Sequence, residues 1–235
     1  MDAVVLPLIV IAPTADTAPV HAAWQQLDGF ALVVFVSANA VLHFFAERPA
    51  AATWPAGLLA GATGPGTAAV LRAAGLADAA IVAPAADAPS FDSEALWARL
   101  AGRDWAGRRV LTVRGEDGRD WLGQTLRERG AQTEFVAAYR RLAPALDAAG
   151  RALLQAALAE PQAHAWLFSS SEAIQHLRNL APAADWSRSI ALASHPRIAA
   201  AAQVLGFGCV ETIAPLPAAV AARLASLGSI QSRPL

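Results

Sequence analysis

The segment GPGTAAVLRAAGL (64–76) recurs along the chain as HPRIAAAAQVLGF (195–207), and Pro13 recurs as Pro144 at the same offset. SANAVLHF (37–44) likewise matches SSEAIQHL (170–177), with a slip of two positions. Internal repeats are interpreted first because they determine the architecture. Two copies predict two similar lobes with a cleft between them, and clefts between lobes are where small ligands usually bind.

The composition predicts a soluble cytosolic protein. The longest apolar run in the 235 residues, ALVVFVSANAVLHFFA, is interrupted by Ser37, Asn39 and His43, and it falls short of the roughly 20 residues that cross a bilayer. No basic segment precedes an apolar one at the start, so no signal peptide is expected. The single Cys209 excludes an intrachain disulfide and a multi-cysteine metal site.

All 18 basic side chains are arginine. The absence of lysine excludes a Schiff-base lysine and the phosphate-binding lysine of a P-loop. Two explanations stay open: a GC-rich genome, or a use of arginine forks to bind carboxylates. A net charge of −1 with interspersed signs gives no support for nucleic-acid binding.

Each copy alternates short apolar strands with amphipathic helices, the pattern of a parallel α/β sheet. In the first copy we predict strands at 31–36, 58–62, 80–83 and 109–113, and helices at 39–45, 68–74, 90–100 and 119–129. In the second copy we predict strands at 165–168, 189–193 and 210–213, and a helix at 217–227. Gly75 and Gly130 are predicted to end helices.

The repeat predicts a complete lobe at 13–134 and a second lobe at 145–235, with linker strands at 4–12 and 135–144. LIVIAP (8–13) matches YRRLAP (139–144) across the repeat, and both segments look extended, so they are expected to pair as a hinge. The unit at 109–130 has no counterpart in the second copy. The second lobe is therefore expected to lack one strand and helix.

Polar turns follow the predicted strands, at the edge where open parallel sheets bind ligands. They lie at 37–39, 63–67, 114–118, 169–171 and 194–197. Several lead into helix N-termini, which favour anions. The alternative is that their serine, threonine and asparagine side chains only cap helices.

Recognisable cofactor and metal motifs are missing. GATGPG is not a dinucleotide-binding GxGxxG turn, no serine stands in GxSxG, and the five histidines lack zinc-site spacing. His43 and His176 occupy equivalent helix positions in the two copies and are expected to be structural. We therefore expect no organic cofactor and no metal.

Tyr139 is the only tyrosine in the chain, and its equivalent in the repeat is Leu8. A phenol in the join between the copies is expected to face the cleft, where it could donate a proton or a hydrogen bond. The alternative is a linker aromatic with a solvent-wetted hydroxyl.

The motifs resemble those of the bacterial type of the uroporphyrinogen-III synthase family. The resemblance covers nearly the whole chain, in the family's order. It rests on LPLIVIAP (6–13), VFVSANAVLHFF (34–45), GATGPGTAAVLRAAGL (61–76), FDSEALWARL (91–100), VLTVRGEDGRDWLGQTLRERGA (110–131), FVAAYRR (135–141), LFSSSEAIQHL (167–177) and SHPRIAAAAQVLGF (194–207).

The resemblance implies two parallel-sheet α/β lobes joined by a two-stranded linker, with the substrate between them. The implied substrate is hydroxymethylbilane, a linear tetrapyrrole with eight carboxylates. Its terminal hydroxyl leaves as water, ring D is inverted and the macrocycle closes, without a cofactor. A cytoplasmic monomer is implied, with transient contact with hydroxymethylbilane synthase as the one expected protein partner and no nucleic acid or membrane.

The resemblance also implies site residues. Tyr139 matches the family's candidate acid, and Thr67 matches a threonine at the cleft. Substrate acetate and propionate groups are expected at the polar turns, largely through backbone N–H groups. The expected binding residues are Ser37, Ala38, Asn39, Gly64, Thr67, Arg114, Gly115, Ser169, Ser170, Ser171, His195 and Arg197.

The chain departs from the family pattern in two places. Where many relatives carry a second GxxT turn, this chain has His195-Pro196-Arg197-Ile198, so His195 or Arg197 is expected to contact a carboxylate there. The family also opens with a strand and helix before the first linker, whereas this chain starts at that linker. A truncated, weakly active synthase and a non-catalytic two-lobed binding protein for an anionic molecule remain as alternatives.

Overall fold

The computed structural model describes residues 2–85, 88, 90–117, 120–214 and 216–231. Gly118 and Arg119, predicted above to lie in a turn and a helix, fall outside these residues. The chain divides into two compact units. Ile11–Arg141 forms what we call the first unit, and Met1–Val10 with Leu142–Leu235 forms the second unit.

Helices and strands alternate along the first unit. In chain order they are β1 (Val10–Pro13), α1 (Ala18–Gln25), β2 (Leu32–Phe35), α2 (Ala38–Ala46), β3 (Leu59–Ala62), α3 (Pro65–Ala73), β4 (Ile81–Val82), α4 (Ser93–Leu100), β5 (Arg109–Gly115), α5 (Trp121–Glu128) and β6 (Gln132–Leu142). The strands form one sheet in the order β1-β6-β5-β2-β3-β4. β2 pairs in parallel with β3 and β5, and β5 pairs in parallel with β6.

Helices cover both faces of this sheet, because its central strand is apolar on both sides. All four residues of β2, Leu-Val-Val-Phe, are buried. Val33 and Phe35 pack into one apolar cluster with Phe44 of α2, whereas Leu32 and Val34 pack into another with side chains of α4 and α5. A near-continuous apolar run is what a parallel strand covered on both faces requires.

Most predicted elements of the first unit are present with shifted ends. α3 begins at Pro65 instead of residue 68, because proline suits the first turn of a helix. Gly75 and Gly130 follow the ends of α3 and α5 with φ of 96° and 83°, a backbone region that glycine adopts readily.

The prediction that Arg114 and Gly115 belong to a turn is wrong. Both are strand residues at the end of β5, and the pairing with β6 shifts register between them. The shift lets Gly115 pair with Tyr139. Tertiary pairing with a long neighbouring strand, which turn-forming residues do not reveal, extends β5 by these two positions.

The second unit contains a smaller sheet. Its elements are α6 (Ala148–Ala159), β7 (Ala165–Phe168), α7 (Ser171–Leu180), β8 (Ile190–Ala193), α8 (Pro196–Leu205), β9 (Cys209–Thr212) and α9 (Pro217–Gln231). The strands pair in parallel in the order β7-β8-β9. Phe168, Leu177 and Ala193 form its core together with Leu8, from the segment before β1.

The order of elements from α1 to β4 recurs from α6 to β9. α3 begins at Pro65 and α8 begins at Pro196, which are equivalent residues of the sequence repeat. An origin by duplication stays a prediction from the sequence. Among the residues that the structure describes, no helix is both long enough and apolar enough to span a membrane.

Candidate active site

The carboxyl ends of β2, β3 and β5 meet at one edge of the first unit's sheet, because these strands are parallel. β2 leads to Ser37 and β3 leads to Thr63. The Thr63 hydroxyl donates a hydrogen bond to the Val36 carbonyl oxygen at 3.0 Å, which ties the two strand ends together. This edge carries most of the predicted site residues of the first unit.

Tyr139 lies on β6 beside this edge, opposite Gly115 of β5. Its side chain is 1% exposed and belongs to the apolar cluster that contains Phe35 and Phe44. A Cβ atom on Gly115 would lie 3.1 Å from the phenol ring, so this glycine leaves the space that the ring occupies. The alternative of a solvent-wetted linker tyrosine is therefore wrong.

The phenol oxygen is held by two side chains. Ser37 Oγ lies 3.1 Å from Tyr139 Oη, and either hydroxyl can be the donor. Arg141 Nη2 donates to the same oxygen at 3.2 Å, with the guanidinium carbon 5.4 Å from the ring centroid. Ser37 is itself fixed, because its Oγ accepts the backbone N–H of Ala40 at the start of α2. The site thus fixes an acid-capable hydroxyl by contacts from two segments of chain, the start of α2 and the end of β6.

The other predicted residues of the first unit lie at helix starts beside this group. Ser37 is the N-cap of α2, which Ala38 and Asn39 open. Gly64 is the N-cap of α3 and offers no side-chain acceptor to its first turn. Thr67, in the first turn of α3, is buried. The first-turn N–H groups of a helix have no intrahelical partner and favour anions.

Arg114 is directed to a different neighbour from Tyr139. Its guanidinium carbon lies 4.1 Å from the ring centroid of Phe135, which is exposed. Arginine stacks on aromatic faces through cation–π attraction. The predicted set therefore divides: Ser37 and Gly115 contact Tyr139, whereas Arg114 stacks on Phe135.

In the second unit, the predicted residues lie at two corresponding helix starts. Ser169 follows β7, Ser170 caps α7 by accepting the backbone N–H of Glu172, and Ser171 is the first residue of α7. Arg197, exposed in the first turn of α8, completes the predicted set there with His195. Ser194 N–H donates to the Phe168 carbonyl oxygen at 3.1 Å and so joins the ends of β7 and β8.

The histidines mentioned above have separate local contacts. His43 stacks on Tyr139 with ring centroids 5.9 Å apart, His176 Nδ1 lies 2.6 Å from the Leu8 carbonyl oxygen, and His195 Nδ1 accepts the Arg197 N–H at 3.1 Å. In the part of the chain that the structure describes, no three His, Cys, Asp or Glu side chains are grouped to bind a metal ion.

Sequence reasoning missed Arg141 and assigned His43 only a structural role. The signal for Arg141 was present, because residues two apart on a strand share a face and Arg141 follows Tyr139 by two. His43 carried no comparable signal, since its contact depends on which face of α2 meets β6.

Comparisons with known proteins point to one family. The model of the family described as uroporphyrinogen-III synthase HemD matches residues 1–218. A curated uroporphyrinogen-III synthase from Salmonella typhimurium (strain LT2) is 43% identical over 61 residues, which are 26% of this chain. That match spans only 25% of the relative's length.

Solved structures share the fold. A mutant uroporphyrinogen III synthase from Thermus thermophilus superposes with a TM-score of 0.59 at 18% identity, covering 97% of this chain and 89% of that one. The uroporphyrinogen-III synthetase of Helicobacter pylori 26695 gives a TM-score of 0.58 at 16% identity, covering 94% and 91%. At these identities the likeness is one of architecture.

Proposed function

The chain belongs to the uroporphyrinogen-III synthase family, and we propose that it catalyses the reaction for which the family is named. It takes hydroxymethylbilane, removes the terminal hydroxyl as water, inverts ring D and closes the macrocycle to uroporphyrinogen III. This reaction needs a proton donor for the leaving hydroxyl and a site that holds both ends of a polyanionic chain close together.

The observation that carries the proposal is the environment of Tyr139. It is the only tyrosine, it is almost fully buried, and its hydroxyl is bonded by Ser37 and Arg141. Burying a hydroxyl without partners costs free energy, and these two groups supply the partners. A phenol fixed in this way is oriented to give its proton in one direction, which supports a role as general acid.

In the proposed reaction, the phenol proton of Tyr139 moves to the leaving hydroxyl as the carbon–oxygen bond breaks. Water departs and the substrate becomes an azafulvene cation. The α-carbon of ring D that carries the bridge to ring C attacks this cation, and the bond from that carbon to the bridge breaks. The bridge carbon then bonds to the free α-carbon of ring D, which inverts the ring and closes the macrocycle, and the proton lost from that carbon restores the phenol. The net change is the loss of one water, so no oxidant or reductant is required.

The starts of α2 and α3 support the binding part of the proposal. Substrate carboxylates would accept N–H groups of Ala38 and Asn39 at one helix start, and of Gly66 and Thr67 at the other, since Pro65 has no N–H group. Gly64 has no side chain that could accept an N–H group of the α3 start. In the second unit, Ser169, Ser170 and Ser171 are proposed to act in the same way, with Arg197 as the charged contact.

Product analysis tests the proposal directly. Freshly prepared hydroxymethylbilane is incubated with the protein, and the products are oxidised and separated into isomers I and III. We expect isomer III in excess. Formation of isomer I alone, at the rate seen in buffer, would reject the enzymatic function. Tight binding of hydroxymethylbilane in that case would favour the non-catalytic alternative.

The finer parts of the proposal concern assembly and location. We propose a cytoplasmic monomer that works without a permanent partner. Light scattering during gel filtration is expected to give the chain mass of 24.3 kDa. Contact with hydroxymethylbilane synthase is proposed to be transient, so the two proteins should elute separately when mixed.

A further inference from the structure

Arg141 stands outside the set of residues that the family resemblance implies, yet it contacts the proposed acid. It follows Tyr139 by two positions on β6, so both side chains lie on one face of the strand. Its Nη2 donates to Tyr139 Oη at 3.2 Å. Arg141 is exposed whereas Tyr139 is buried, so the phenol meets a permanent positive charge at the outer end of its ring.

The hydrogen bond from Arg141 limits how the phenol hydroxyl of Tyr139 can use its proton and its lone pairs. A tyrosine hydroxyl has one proton and can accept through its remaining lone pairs. Arg141 has no acceptor, so it always uses a lone pair of Oη and never the proton. When Ser37 also donates, both acceptor positions of Oη are filled and the phenol proton remains available for a bound molecule.

We propose that Arg141 is a positioning residue for the dehydration step, acting through Tyr139; this inference rests on the proposed function. When the proton leaves with the departing hydroxyl, negative charge develops on Oη. Arg141 then donates a charge-assisted hydrogen bond to the phenolate, and Ser37 donates a second. Donors placed in advance where charge develops stabilise the transition state without reorganisation.

A simple packing role is the alternative. The guanidinium carbon lies 5.4 Å from the ring centroid, within the distance of a cation–π contact. Such a role would stabilise the fold but would not respond to the state of the phenol oxygen. The two roles therefore predict different results in three measurements: kcat of Arg141→Gln, the effect of that change when Tyr139 lacks its hydroxyl, and the activity that Arg141→Lys retains.

The kinetic test compares Arg141→Gln and Arg141→Lys with a control, Arg103→Gln. The control removes an exposed arginine that precedes the amino end of β5. We expect kcat for isomer III to fall about 100-fold in Arg141→Gln. KM should change less than about threefold, because the lost interaction strengthens only in the transition state. Arg141→Lys should recover part of the loss, since it keeps a charged donor. Unchanged kcat in Arg141→Gln would overturn the proposal.

A double-mutant cycle tests whether Arg141 acts through the hydroxyl. In a Tyr139→Phe background, Arg141→Gln is expected to cause little further loss, because its target oxygen is gone. Equal, multiplicative losses in both backgrounds would assign Arg141 an independent role and overturn the inference. Circular dichroism and thermal unfolding of each variant verify that the fold is kept.

A spectroscopic readout does not depend on turnover. Because Tyr139 is the only tyrosine, labelling with [ζ-¹³C]tyrosine gives a single NMR signal from the carbon that carries the hydroxyl. That signal should shift in Arg141→Gln and stay in place in Arg103→Gln. An unshifted signal refutes the contact with Arg141. The NMR result does not depend on catalysis, so it tests the contact with Arg141 alone. Failure of the wild-type protein to form isomer III would instead reject the proposed function.

Discussion

The two units place different chemistry at equivalent positions. Tyr139 and Leu8 correspond to each other in the sequence repeat, and both are buried beside a helix that carries a matching histidine. In the first unit His43 stacks on the phenol ring, whereas in the second unit His176 bonds to the Leu8 carbonyl oxygen. Tyr139 is a strand residue of β6 whereas Leu8 lies before β1, and only the first unit has a hydroxyl at the matched position that Ser37 can hold.

The helix starts differ in a similar way. Gly64 leaves the start of α3 without a side-chain acceptor, whereas His195, its equivalent, bonds to the first turn of α8 through Nδ1. An incoming carboxylate would compete with that imidazole for the Arg197 N–H but would meet no such competitor at Gly64. The two units thus differ at matched positions of the sequence: the first has a tyrosine and a glycine where the second has a leucine and a histidine.

Replacing the distinguishing phenol should have the largest effect. Tyr139→Phe is expected to lower kcat for isomer III by about 100-fold or more, because general acid catalysis contributes about 10²–10⁴. The matched change at the equivalent position, Leu8→Met, conserves volume and should leave the rate within about twofold of wild type. Stopped-flow or discontinuous assays of isomer III formation measure both. Full activity in Tyr139→Phe would show that the Tyr139 hydroxyl is not the general acid and that it does not distinguish the two units chemically.

Filling the space beside the phenol should have the next largest effect. A methyl group on Gly115 meets the Tyr139 ring at 3.1 Å, so Gly115→Ala should displace the ring at a cost of about 1–3 kcal/mol. We expect about a tenfold loss of kcat, since misplaced catalytic groups reduce rates strongly. Gly102→Ala, where no atom lies within 4 Å, is the control. Equal urea midpoints and rates for the two variants would contradict the assigned crowding.

The sheets can be compared through the third residue of two corresponding strands. Val34 in β2 pairs with Gly61 of β3, and Leu167 in β7 pairs with Leu192 of β8. Val34 is 0% exposed and Leu167 is 54% exposed. Val34→Ala should lower the free energy of unfolding by about 2 kcal/mol, and Leu167→Ala by less than about 0.5 kcal/mol. Urea denaturation measures both changes. Equal losses of unfolding free energy would show that the different burial of Val34 and Leu167 does not determine their contributions to stability.

The smallest effect concerns an ion pair of the second unit. Arg223 of α9 donates to Glu211 of β9 and holds the pKa of that carboxyl below its usual range. A pKa that is lower in the folded state adds stability above the unfolded value of about 4.5, and this is lost as the pH falls through the folded value. Glu211→Gln should therefore cost less than about 1 kcal/mol at pH 7, and the cost should become smaller as the pH falls below 4.5. Urea midpoints across this range test it; a pH-independent difference would contradict it.

Local patterns predicted most of the secondary structure. Continuous apolar runs indicated buried parallel strands such as β2. Glycines indicated helix ends at Gly75 and Gly130, and both have positive φ in the structure. These features can be predicted from sequence because they depend on residues close to one another in the chain. The strand conformation of Arg114 and Gly115 could not be predicted in this way, since it depends on pairing with β6.

The order of amino acids established which residue types were available: one tyrosine, arginine as the only long cation, and polar turns after several strands. It also established the family. Folding was needed to bury the tyrosine against Gly115, to bring its hydroxyl to Ser37, 102 positions away, and to complete the group with Arg141. The physical reason is that hydrogen bonds and packing depend on distances of a few ångströms, which strand register and helix orientation set after folding.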